Sequence, residues 1–142
     1  LLERVRSERT VRAMAERYQL AARAGRIGVW EYHPGGHRFL IDEATLDIIG
    51  TTDSLDGPDT IDAQVLLSFF AEPDREAFQA WLASVLREGH GRFERECAVR
   101  TGERGDRWVV IRGRGRPGFD GALRVVGTVL DVTETRLIQA ES

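Results

Sequence analysis

Val125-Val126-Gly127-Thr128-Val129-Leu130-Asp131-Val132-Thr133 runs straight into Glu134-Thr135-Arg136-Leu137. The first stretch is rich in β-branched residues and reads as a strand. The second is charged and helix-forming, and Thr133 can cap the helix it begins. A strand that empties into a helix is a lever, because motion inside the domain reaches whatever follows. Asp131 at the hinge can pair with an arginine or accept from a backbone amide. Asp131 and Thr133 are therefore the candidate signal-exit residues.

Working back from this strand, residues 106–116 and 92–101 form two more β-patterned runs. The turns between the three carry Gly102, Gly105, Pro117, Gly118 and Gly121. Before them lies a helix over 73–88, with Pro73 in its first turn. Phe78, Trp81, Leu82, Val85 and Leu86 mark its buried face, and Gly89 and Gly91 end it. A short helix is expected over 61–69 and a polar loop over 51–60. Asp42 caps a short helix that Gly50 stops. Residues 26–33 and 37–41 read as a hairpin around Pro34-Gly35-Gly36. Residues 1–24 contain no Gly or Pro and form a flanking helix with Val11, Met14, Tyr18 and Ala21 on one stripe. Strands at both ends with helices between them give an α+β class, an antiparallel sheet cupping a helical layer.

The chain has 142 residues, 42% of them apolar and 30% charged, with a net charge of −3. These values fit one globular domain with an appended helix, and the charge gives no reason to expect a nucleic-acid partner. All 20 basic residues are arginine. A lone cysteine, Cys97, excludes an internal disulfide and suits a reducing, cytoplasmic setting. No signal peptide is visible, and no apolar run approaches the roughly 20 residues of a membrane span. Opening on Leu1 and stopping as a helix begins, the sequence is expected to be part of a longer protein.

Ordered short motifs then add a resemblance. Ala21, Ala24, Gly25, Gly28, Trp30 and Glu31 are followed by Ile41-Asp42-Glu43 and Ile49-Gly50. Glu72-Pro73-Asp74-Arg75-Glu76, Arg107-Trp108-Val109, Asp120-Gly121 and Gly127-Thr128-Val129-Leu130-Asp131-Val132-Thr133-Glu134 complete the set. Over residues 17–136 the chain resembles a PAS domain of the type with a Gly-x-Trp first strand. It departs from the family where Glu72-Pro73-Asp74 replaces the frequent His-Pro-Asp-Asp. The resemblance implies a five-stranded antiparallel sheet with helices on one face, and a division into flanking helix (1–24), PAS domain (25–133) and outgoing helix (134–142). It further implies a sensory module, often dimeric, fused to a histidine kinase or a cyclic-di-GMP enzyme in a bacterial signalling protein. Such a module is not itself an enzyme, and no nucleophile–base pair, phosphate loop or metal-spaced cluster contradicts that.

Strand parity, with this resemblance, assigns the two sheet faces. Trp30, Tyr32, Phe93, Cys97 and Val99 point inward, as do Val109, Ile111, Gly113, Val125, Gly127 and Val129. Leu46, Ile49, Phe78 and Leu82 join them from the helices, and together these line the candidate pocket. The lining is apolar, with Tyr32 and Cys97 as weak polar handles. It suits a small apolar ligand, or packs solid as a core. Ile27, Val29, Trp108, Val110, Val126, Thr128 and Leu130 point outward and need a cover. The flanking helix supplies one from its own chain or from a partner. Val11, Met14 and Tyr18 therefore join Ile27, Val29, Trp108, Val110, Val126 and Leu130 as dimer-interface candidates.

No cofactor is expected. The flavin-photoadduct motif of light-sensing relatives is absent before the long helix, and Cys97 lies in a strand after it. No histidine sits in 73–88 to ligate haem; His90 lies just beyond. His33 and His37 flank a turn without a third metal ligand. A docking reading, through the sheet face or residues 51–60, stands as a further alternative.

Overall fold

Apolar alternation and glycine turns become a single antiparallel sheet in the computed structural model, which describes residues 2–50, 53–101 and 105–141. The elements are α1 (Leu2–Arg23), β1 (Ile27–His33), β2 (Arg38–Ile41), α2 (Glu43–Ile49) and β3 (Thr60–Asp62). They continue with α3 (Ala63–Leu67), α4 (Glu72–Glu88), β4 (Gly91–Thr101), β5 (Gly105–Pro117), β6 (Leu123–Asp131) and α5 (Thr133–Glu141). The sheet order is β3-β2-β1-β6-β5-β4. The last strand thus lies in the middle, hydrogen-bonded to both β1 and β5.

Two expectations need correction. The sheet has six strands, not five, and the helix expected over 61–69 is split. Thr60–Asp62 pairs with Arg38–Leu40, because the free edge of β2 offers backbone groups that residues 60–62 satisfy. Asp62 then caps α3, its carboxylate accepting from the Gln64 amide at 2.9 Å. At the other edge, residues 69–71 cover β4. The Ala71 amide donates to Ala98 O at 3.1 Å, and the Arg100 amide to Phe69 O at 2.7 Å.

Asp74 explains the acidic motif that opens α4. Its carboxylate accepts from Arg95 Nε and from the Ala98 amide, each at 2.8 Å. The helix is thereby fastened to the first strand that follows it. Asp42 holds α2 in the same manner, accepting from the Thr45 amide at 2.9 Å and the Thr45 hydroxyl at 2.7 Å.

The main core fills the space between sheet and α2–α4, and Trp30 is central to it. Its ring makes edge contacts with Phe39 and Phe78, each at 5.8 Å between centroids. Its Nε1 donates to Thr128 O at 3.2 Å. Trp30 pairs with Gly127, and Gly127 with Gly113. A Cβ at Gly127 would collide with the Trp30 ring and with Arg112 O; one at Gly113 would lie 2.6 Å from Trp81 Cη2. The two glycines are the floor on which the indoles rest. The Gly113-Arg114-Gly115 run is therefore room for close packing.

A second, smaller core sits on the opposite face. Ala21, Val110, Leu130 and Val132 are buried there, with Tyr18, Ile27 and Trp108 against them. This part of the outer face is thus covered by α1 of the same chain.

Gly127→Ala is expected to lower stability by about 2 kcal/mol, since overpacking a rigid site costs roughly 1–3 kcal/mol. Urea denaturation checks this; a loss below about 0.5 kcal/mol would show that Trp30 can move aside.

Candidate functional site

The void of the inner core lies between the sheet and α2–α4, and its volume is about 40 Å³. Trp30, Ile49, Phe78, Val99, Val109, Ile111 and Val129 line it, all read from sequence. Phe39, Ile41, Thr45, Ile48, Leu66, Phe69 and Phe70 line it too and were missed. Phe39 and Ile41 carried a usable signal, the alternation of a short strand. Phe69 and Phe70 had none, because they lie in the turn that ends α3 and show no strand or helix period.

The other proposed lining residues stand back from the void. Tyr32, Leu82, Cys97 and Val125 are buried in the same core, and Leu46 and Phe93 pack against it. The Tyr32 hydroxyl is already bonded to His37 Nδ1 at 2.8 Å, and burial raises its pKa. Burial first, then the neighbouring Asp74 charge, pushes the Cys97 thiol up to about 12. The polar side-chain atoms bordering the void are engaged as well. Trp30 Nε1 binds Thr128 O, and the Thr45 hydroxyl binds Asp42. A ligand site needs both room and free polar groups to orient its guest. This space has room for about one water and offers no such group among the described residues.

Of the dimer-interface candidates, Met14, Val110 and Leu130 are buried, while Tyr18, Ile27 and Trp108 pack within their own chain. Val126 is half-buried and Val29 is 53% exposed. The Val11 side chain lies outside the described residues. His33 stands 3.5 Å from Glu31, and His90 is exposed at the turn after α4. Among the described residues no group of three or more His, Cys, Asp or Glu is placed to hold a metal, and no helix is long and apolar enough to cross a membrane.

The most organised polar chemistry is at the exit. Asp131, 4% exposed, accepts from Arg107 Nε at 2.8 Å through Oδ2. Its other oxygen accepts from the Thr133 amide at 3.0 Å and the Thr133 hydroxyl at 2.6 Å. The Thr133 hydroxyl accepts in turn from the Trp108 amide at 2.9 Å. Thr133, expected to cap the outgoing helix, is instead the first residue of α5, and its hydroxyl, used across the sheet, ties the helix to β5.

A second clamp was not read from sequence. Glu96 of β4 points to the outer face and is almost fully buried by two arginines. Arg17 of α1 reaches it with Nε at 2.8 Å, and Arg136 of α5 forms an ion pair with it. Arg136 also lies over the Trp108 ring at 3.5 Å, and Arg112 over Tyr18 at 3.6 Å. One carboxylate thus joins the incoming helix, the sheet and the outgoing helix.

Comparisons with known proteins agree with this architecture. No protein-family model matches the chain. A curated protein of Caulobacter vibrioides, described as a non-motile and phage-resistance protein, is 32% identical over 130 residues. The match covers 89% of this chain but only 15% of that protein. A sensory box histidine kinase/response regulator from Burkholderia thailandensis superposes with a TM-score of 0.61 at 26% identity, covering 88% of this chain and 91% of that one. A domain of a light- and redox-sensing histidine kinase from Haloarcula marismortui gives 0.58 at 26% identity, with 75% and 90% covered. The N-terminal domain of a diguanylate cyclase with PAS/PAC sensor from Marinobacter aquaeolei gives 0.57 at 11% identity, over 78% and 98%, a likeness of fold. With its sheet order, glycine-seated first-strand tryptophan and helix-bearing last strand, the chain is a PAS domain, a sensory module of the kind signalling proteins carry.

Iodoacetamide at pH 8 is expected to leave Cys97 unmodified in the folded domain and to alkylate it in urea, because the thiolate is the reactive form. Mass spectrometry reads the adduct; rapid labelling of folded protein would show that β4 opens.

Proposed function

We propose that this domain regulates a signalling output, fused or partnered, by passing a change in its core through β6 into α5. The observation that carries this is the pair of carboxylate clamps. Asp131 locks the end of β6 to β5 and to the first residue of α5. Glu96 holds α1 and α5 against β4. A shift of Val125 or Val129 in the core is then felt by a strand whose next residues are the outgoing helix. Ion pairs of this kind have two discrete arrangements, made or broken, which suits a switch better than a gradual response.

The output we favour is a histidine kinase, with a cyclic-di-GMP enzyme next. Two solved relatives at 26% identity come from histidine kinases, and a fold relative comes from a diguanylate cyclase. The small, fully satisfied void supports sensing through packing or through a partner in place of a resident cofactor. We further propose that the module works as a homodimer in the cytoplasm. Leu20 of α1, Val29 of β1 and Leu137 of α5 remain 47%, 53% and 61% exposed and would supply the apolar contact.

In the full-length protein, Glu96→Gln and Asp131→Asn are each expected to change basal output by about fivefold or more, the lower end of usual coupling energies. A kinase or cyclase assay reads this on protein whose circular dichroism is unchanged; wild-type output from both variants would sink the clamp mechanism.

Sedimentation of the isolated chain is expected to show a concentration-dependent dimer that Leu137→Glu weakens. A sharp monomer at the highest soluble concentration would remove the dimer.

A further inference from the structure

The outer face of the sheet is only half covered. Beyond the small core under α1, it carries a block of arginines in positions that cost the fold stability. Arg92 of β4 is the direct cross-strand partner of Arg114 on β5. Two residues on, Arg116 is the partner of Arg124 on β6. The inward neighbours Phe93, Gly113, Gly115 and Val125 fix all four arginines on the outer face. Like charges directly opposite one another destabilise a sheet, and here two such pairs lie two residues apart along β5. Arg124 is partly relieved by Glu31, whose carboxylate accepts from Nη2 at 2.9 Å. Arg92, Arg114 and Arg116 are exposed and have no ion-pair partner among the described residues. Phe119, at the tip of the adjoining turn, is fully exposed.

We propose that this block is a docking surface for an acidic segment of a protein partner, with carboxylates held by the arginine forks and Phe119 as the apolar anchor. Guanidinium groups match carboxylates in a bidentate geometry that lysine does not offer, and arginine and aromatic residues dominate binding hot spots. The patch is compact. Neighbouring strands are about 4.8 Å apart and alternate residues about 6.8 Å apart, a size that takes a few carboxylates. A nucleic acid is the poorer occupant. Glu31 and Glu94 sit on the same face, and a polyanion longer than the patch would meet the rest of a chain whose net charge is −3. That net charge is itself unevenly laid out. Residues 39–62, which include β3 and most of β2 at the opposite edge of the sheet, hold seven acidic residues and no basic one. The arginine face is thus locally cationic on an acidic protein.

The test uses fluorescence anisotropy with a labelled oligo-glutamate peptide, an oligo-glutamine control, and oligothymidylate matched in charge to the glutamate probe. The glutamate peptide is expected to bind in a salt-sensitive manner, and the glutamine peptide not at all. Arg114→Ser combined with Arg116→Ser should weaken binding by about tenfold or more, while Arg87→Ser with Arg100→Ser should not. The binding-defective variant should melt at the same temperature as wild type or higher, because a repulsive pair has been removed; lost binding with retained or raised stability separates a docking role from a structural one. Amide shifts in a labelled sample should cluster at Arg92, Arg114–Phe119 and Arg124, which keeps the test independent of any variant's folding. Absence of peptide binding at low salt, equal binding by the double variant, or tighter binding of the oligothymidylate would overturn the proposal.

Discussion

The contact on which the rest of this domain depends is an indole lying on bare backbone. Trp30 reaches across two strands because Gly127 and Gly113 present no side chain beneath it. That seat sets the distance between the sheet and α4, since Phe78 packs against the same ring at 5.8 Å. It also joins the first strand to the last in the middle of the sheet. An apolar contact has no preferred direction, but this one is made directional by the Nε1 hydrogen bond to Thr128 O. Core packing and the position of β6 are therefore one constraint.

What β6 does with that constraint is set by charge. Asp131 is buried, and burying a carboxylate is unfavourable unless it is paired and hydrogen-bonded. Arg107, the Thr133 amide and the Thr133 hydroxyl together meet that demand. Glu96 solves the same problem with two arginines from the two ends of the chain. Such pairs add little net stability, because desolvation offsets their attraction, while removing one partner leaves a buried charge unpaired. These two carboxylates set the seating of α1 and α5 on the sheet.

The two faces of the sheet divide the work by chemistry. The inner face is aromatic and nearly void-free, with Trp30 Nε1 and the Thr45 hydroxyl already bonded, so a change there has to be a repacking. The outer face is apolar where α1 covers it and cationic where it is bare. Trp108, read from sequence as part of an outer face that needs a cover, packs in the small core under α1 and lies beneath Arg136 at 3.5 Å; the open surface is the arginine half.

Much of this was legible in the residues themselves, because a period of two or of 3.6 is a local property. Inward and outward parity in β1, β4, β5 and β6, the caps at Asp42 and Gly50, and the glycine turns all follow from neighbours close in sequence. The third strand was not legible: Thr60–Asp62 is too short to show a period, and only the free edge of β2 makes it a strand. Nor was Glu96, which meets Arg17 across 79 positions and Arg136 across 40. Its alternating strand pattern, Glu94 and Glu96 included, looks the same whether a carboxylate faces water or a pair of helices. Sequence alone determined the class of fold, the faces of its strands and the helix that leaves its last one. Tertiary structure alone decided which charges meet, how little space remains inside and which half of the outer face stays open, because those depend on residues brought together only when the sheet closes.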